Sequence, residues 1–310
     1  MENTRAKTTR NSLILLMTAT IWGMAFVSQS KGMDYMHPFT FNGVRSLIGA
    51  AGILVYILIS RKIAGDKAAK LDWKLNVRAG LLCGIFLTIA STLQQFGIKY
   101  TSVGKAGFIT TLYIIFVPMF GIFLKKKVAP VVWAAAGMAA VGMYLLCMTE
   151  SLRLGAGDIM VFLCAIAFAI QIMTVDHYAA RIDGAVVSCI QFTVCGVVCC
   201  IGALIWGQPT FGQIQEGLGA LLYAGVLSCG VGYTLQIVGQ KGLNPTVAAL
   251  IMSLESVIAT ISGWIAYKIG FLSTDQTLTP RQIAGCVIVF AAVILVQLPS
   301  EWFRFGKKNA

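Results

Sequence analysis

The stretch LQQFGIKYTSVGKAGFITTL, residues 93–112, returns as LQIVGQKGLNPTVAALIMSL at residues 235–254. Without gaps, Leu93/Leu235, Gln94/Gln236, Gly97/Gly239, Lys99/Lys241, Ala106/Ala248, Ile109/Ile251 and Leu112/Leu254 coincide at an offset of 142. Two unrelated apolar helices could share leucines by chance. The matching Gln, Gly and Lys argue for a duplication, the first thing to seek in a long chain. Earlier in the two halves the match is weaker. There an offset near 146 sets Trp22-Gly23 against Phe168-Ala169 and Arg45 against Gln191.

The surroundings of these segments define the solvent. Of 310 residues 57% are hydrophobic and 12% charged, about half the charged share of a soluble domain. That leaves too little polar surface to coat a water-soluble fold, and it excludes disorder as well. Stretches with little or no charge run over 11–30, 38–60, 79–98, 106–124, 128–149, 159–175, 184–206, 217–240, 242–267 and 282–300. Most approach or exceed the roughly 20 apolar residues that a helix needs to cross a bilayer. They are apolar on every side, unlike the alternating strands of a barrel. The expected fold is therefore all-α and integral to the membrane, with ten transmembrane helices in two repeats, 1–150 and 151–310. Five crossings per repeat is odd, so the second copy enters from the opposite face. Inverted repeats of this kind are a device of secondary transporters. The first run, behind Arg5, Lys7 and Arg10, also fits a signal peptide, but its length and the nine runs that follow favour a span.

The net charge of +12 sits between apolar runs, which points to lipid headgroups and topology rather than nucleic acid. With the N-terminus inside, the inner segments hold 17 of the 24 Lys/Arg and the outer segments 6. Both termini are expected in the cytoplasm. The nine cysteines lie in apolar runs without a CxxC pair, and the two histidines are His37 and His177. A zinc cluster has little to build with, so no metal and no cofactor are expected. Gly80 and Gly84, and Ala136 and Ala140, suit close helix packing. Pro38, Pro130, Pro245 and Pro280 suit helix starts, and Pro118 is expected to kink the fourth span.

Polar residues inside the runs are the candidates for function. Glu255 lies about 15 Å past Pro245 at the helical rise, near mid-membrane, where a carboxylate costs on the order of 2.5–3.5 kcal/mol. It reads either as a proton-coupling group or as a structural acid. Arg45, about 10 Å past Pro38, reads as an anchor for a substrate carboxylate or, more simply, as a side chain snorkelling to the outer headgroups. Trp22 and Tyr113 also fall near mid-depth, and Tyr113 is the repeat mate of Glu255. Gln94, Gln171, Tyr233 and Gln236 are suited to hydrogen-bond a ligand or one another. These eight residues form the candidate substrate site. Asp176-His177-Tyr178 reads as an interface cluster. A membrane-embedded transferase would need Asp158, Asp176 and His177 to converge.

Ten spans in a 5+5 duplication, with TATIWG at 18–23 and LIMSLESVIA at 250–259, resemble the bacterial drug/metabolite transporter superfamily, EamA type, over nearly the whole chain. Members commonly carry Leu-Glu-Pro where this chain has Leu254-Glu255-Ser256, so the residue that would kink the ninth helix is missing. The resemblance implies a multi-pass protein of the inner (cytoplasmic) membrane that is not an enzyme. It implies export of a small amino acid-like or drug-like molecule by alternating access, with protons as the candidate coupling ion and lipids as the surroundings. An uncoupled facilitator is the rival. No P-loop is present to couple ATP.

Overall fold

A computed structural model describes residues 2–65, 71–125, 130–147, 155–273 and 275–297. Among these there is no strand. The helices are α1 (Glu2–Gly32), α2 (Pro38–Ala64), α3 (Trp73–Ile98), α4 (Val103–Thr111), α5 (Tyr113–Phe123), α6 (Pro130–Cys147), α7 (Ala156–Tyr178) and α8 (Gly184–Gly202). They continue with α9 (Phe211–Glu216), α10 (Leu218–Leu222), α11 (Tyr233–Gln240), α12 (Pro245–Met252), α13 (Glu255–Lys268) and α14 (Pro280–Gln297). A π-helical turn at Ala203–Gly207 extends α8, and a π-helical stretch at Tyr223–Gly232 joins α10 to α11. Eight helical segments are long and apolar enough to cross a membrane. Two shorter apolar helices, Pro130–Gly142 and Pro280–Leu295, fall at the fifth and tenth expected runs. The chain is thus an integral, multi-pass membrane protein.

The helix starts follow the sequence. Pro38 and Pro245 occupy the first turns of α2 and α12, where a missing N–H costs least. Ser102 caps α4 by accepting from Lys105 N, and Asn244 caps α12 by accepting from Thr246 N. These two caps also stand 142 residues apart.

Two spans are interrupted, and neither interruption follows the expected proline. The fourth span breaks at Leu112, between α4 and α5, while Pro118 sits inside an unbroken α5. The ninth breaks at Ser253–Leu254, between α12 and α13, with no proline at all. Both breaks are 3₁₀ tightenings of the same form. Leu112 N donates to Ile109 O at 3.2 Å, and Leu254 N donates to Ile251 O at 3.3 Å. A hydroxyl supports each turn: Thr111 Oγ1 donates to Phe108 O and Ser253 Oγ to Leu250 O, at 2.8 and 2.7 Å. Ser/Thr side chains commonly re-satisfy backbone groups in this way inside membranes. Every member of one set is the mate of the other at the 142 offset.

Packing across the chain repeats as well. A Cβ on Gly97 would meet Val161 Cγ2 at 2.3 Å and Gly157 O at 2.8 Å. A Cβ on Gly239 would meet Leu15 Cδ2 at 2.7 Å and Asn11 O at 3.2 Å. Gly97 and Gly239 are 142 apart. Val161 and Gly157 lie 146 beyond Leu15 and Asn11, the second offset read from the sequence. Gly80 and Gly84 give α8 its close approach to α3, where added Cβ atoms would meet Ile190 Cβ at 2.6 Å and Val194 Cβ at 2.9 Å. Likewise α6 packs on α14, with Gly142 against Gly285 O.

Candidate functional site

Helices α1, α3, α4, α5, α7, α11 and α13, with Arg45 of α2 and Ser228 of the π-helical stretch, enclose a cavity of about 30 Å³. That is room for about one or two waters and too little for an organic solute. All eight candidate residues line it: Trp22, Arg45, Gln94, Tyr113, Gln171, Tyr233, Gln236 and Glu255. Periodicity explains why. Trp22, Ala25, Phe26 and Gln29 share one face of α1. Phe168, Gln171 and Ile172 share one face of α7, Tyr233 and Gln236 one face of α11.

The lining obeys the duplication. Gln94/Gln236 and Tyr113/Glu255 are mates at 142; Trp22/Phe168, Ala25/Gln171 and Phe26/Ile172 are mates at 146. Residues paired at these two offsets thus line the same hollow.

Glu255 is the first residue of α13 and is 3% exposed. Tyr113, the first residue of α5, donates its hydroxyl to Glu255 Oε1 at 3.1 Å. The acid so expected near mid-depth is indeed halfway along the Pro245–Lys268 span. Arg45 corrects the simpler reading of it. Its side chain is buried at 5% exposure instead of snorkelling outward. Its guanidinium lies 5.5 Å from the Phe41 ring, and its Nε has no partner. Glu255 and Arg45 both line the cavity, yet no ion pair joins them among the described residues.

The remaining candidates divide between bonded and open groups. Gln236 Nε2 donates to Gln171 Oε1 at 3.2 Å, so these two act on each other. Gln94 Nε2 donates to Thr110 Oγ1 at 3.2 Å. Trp22 packs on Tyr233 with ring centroids 4.5 Å apart, and the indole Nε1 is buried without a partner. Gln29 Oε1 is also buried and unpartnered. Gln29, Thr110, Phe168 and Ser228 line the hollow and were not among the sequence candidates. Gln29 was within reach of the sequence, seven residues beyond Trp22 and so on the same helical face. Ser228 was not, because the π-helical stretch shifts the register.

Asp158 lies in the first turn of α7, and Asp176 and His177 in the last. One helix of about 27 Å separates them, so the convergence that a transferase would need is not found. Among the described residues no group of three or more Cys, His, Asp or Glu is placed to hold a metal. The described cysteines are free thiols; the side chain of Cys147 lies outside the described set.

The family model for EamA-like transporters matches residues 10–148 and residues 155–298. The chain belongs to the EamA-like transporter family. As an EamA-like protein it is a membrane transporter. An uncharacterized transporter of Archaeoglobus fulgidus is 27% identical over 290 residues, covering 92% of this chain and 84% of that protein. The uncharacterized transporter YwfM of Bacillus subtilis is 24% identical, covering 92% of this EamA-like chain and 93% of its own. One solved crystal structure superposes with a TM-score of 0.73 at 16% identity, over 96% of this chain and 99% of that one. That likeness is one of fold.

Proposed function

We propose that this chain is a secondary transporter of the cytoplasmic membrane that exports a small organic solute by alternating access. Its ten spans form two inverted five-helix repeats, residues 1–150 and 151–310, with both termini in the cytoplasm. The observation that carries the reading is the hollow lined by repeat mates, with Tyr113 bonded to Glu255 across it. Broken helices that meet at a site between inverted halves are the recurring plan of such transporters. Rocking one half against the other widens the hollow toward one face at a time. Its present volume of about 30 Å³ is smaller than an organic solute.

The lining suggests an amphoteric, amino acid-like cargo. Arg45 is a permanent cation with an open Nε, suited to a carboxylate. Glu255 is suited to an ammonium group, and Trp22 and Tyr233 give an apolar wall. Protons couple export if Glu255 takes one up on the outer side as cargo leaves and gives it up on the inner side as the next cargo binds. The hydrogen bond from Tyr113 favours a second reading, in which Glu255 is a structural acid and the chain an uncoupled facilitator. Purified protein in liposomes separates them. Flux of a ¹⁴C-labelled amino-acid mixture should be driven by an imposed pH gradient and lose that drive in Glu255→Gln. Saturable flux indifferent to the gradient favours the facilitator.

A further inference from the structure

Two Lys–Asp pairs stand out among the described residues. One, Lys31–Asp34, is local and exposed. The other joins separate helices and separate halves. Lys105 Nζ lies 2.6 Å from Asp158 Oδ2, linking the first turn of α4 to the first turn of α7. Asp158 is buried, its side chain 4% exposed against 20% for Lys105. Thr101 Oγ1 donates to Asp158 Oδ1 at 2.9 Å and Gly155 N donates to Oδ2 at 2.9 Å. The carboxylate thus ties together the α3–α4 turn, α4 and the start of α7, at one end of the bundle.

The opposite end closes differently. Asn11 Nδ2 donates to Lys241 O at 2.7 Å, and Lys241 Nζ donates to Ile182 O at 3.3 Å. These are contacts of amide, ammonium and carbonyl groups without a carboxylate. The repeat positions corresponding to Lys105 and Asp158 are Val247 and Ser12, which cannot form an ion pair. Among the described residues, the ion pair Lys105–Asp158 that joins the two halves lies at the first of these ends.

We propose that Lys105–Asp158 is a clamp that holds the outer mouth of the transport path shut and must part for the cavity to open outward. The proposal rests on the alternating-access reading above. A closed ion pair at one mouth, against amide–carbonyl and ammonium–carbonyl contacts at the other, biases the molecule toward states closed on the clamped side. Under the expected topology that side faces away from the cytoplasm. An exporter so biased waits with its cargo site shut to the outside.

Hydrogen–deuterium exchange of the full chain in lipid vesicles tests this. In Asp158→Asn and in Lys105→Ala, amides of residues 99–105 and 155–162 should exchange at least tenfold faster than in the wild type. Amides of residues 8–15 and 240–247 should exchange more slowly, because the population moves to an outward-open form that closes the inner end. Lys31→Ala should leave the wild-type pattern unchanged. Faster exchange at both ends together, or at the outer end with no reciprocal slowing, overturns the clamp and marks the pair as a structural brace. If Asp158→Asn does not fold, Lys105→Ala carries the test. The transport reading fails separately: no saturable flux of the labelled amino-acid mixture overturns it. Saturable flux with reciprocal exchange absent overturns the clamp alone.

Discussion

Tyr113 and Glu255 stand 142 residues apart, the offset at which the sequence repeats, and Tyr113 donates its hydroxyl to Glu255 at 3.1 Å. On the inverted-repeat reading proposed above, such a pair would lie on or near the axis that relates the halves. Replacing Tyr113 by Phe leaves the buried carboxyl group without that donor. The expected loss is about 0.5–2 kcal/mol of stability, the range for hydrogen bonds inside membrane proteins. Thermal or denaturant unfolding of the purified protein reads it, and an unchanged midpoint would mean that the bond contributes nothing net.

Glu255→Gln keeps a hydrogen-bond acceptor for Tyr113 and removes the titratable proton. The protein should fold and remain monodisperse in detergent while flux driven by a pH gradient disappears. Normal gradient-driven flux by this variant would take Glu255 out of the coupling.

Gly97 and Gly239 should respond as a pair. An alanine methyl at Gly97 falls 2.3 Å from Val161 Cγ2 and 2.8 Å from a backbone oxygen, so α3 and α7 must separate. Gly97→Ala and Gly239→Ala should each cost about 1–3 kcal/mol, as overpacking does. Gly52→Ala, with open space around it, should change little. Unfolding midpoints of the three variants make the comparison.

His37 lies between the first two spans and caps α2, accepting from Phe39 N at 3.4 Å. Partial burial, and secondarily the nearby charge of Lys99, hold its imidazole below the ordinary 6.5. The folded protein therefore prefers the neutral ring. The stabilisation is whole above pH 6.5 and is lost as pH falls below it. The unfolding midpoint should drop modestly between neutral and mildly acidic pH, and His37→Asn, which still caps but does not titrate, should flatten that drop.

Cysteines introduced at Lys62 and Lys74 should react with impermeant maleimide from the cytoplasmic side. Reaction from outside in intact cells would invert the topology.

The helices were legible because a bilayer imposes one pattern, long apolar runs ended by charge, and all ten runs contain a helix. The lining of the hollow was legible because polar residues in such runs are costly and few, so Glu255, Gln94 and Gln236 had to face inward. Arg45 was harder. A long basic side chain can reach water or bend inward, and packing against Phe41 and the cavity decides between them. The helix breaks were illegible for another reason. Proline is the breaker a reader looks for, yet here Thr111 and Ser253 hydroxyls hold the carbonyls of a tightened turn. The Lys105–Asp158 link joins residues 53 positions apart, beyond any local periodicity.

The smallness of the hollow bears on energy conservation. A membrane that stores an ion gradient tolerates no continuous aqueous passage through its proteins. On the alternating-access reading proposed above, a hollow of about 30 Å³ offers no wide aqueous passage, so an ion gradient would be spent only together with cargo movement.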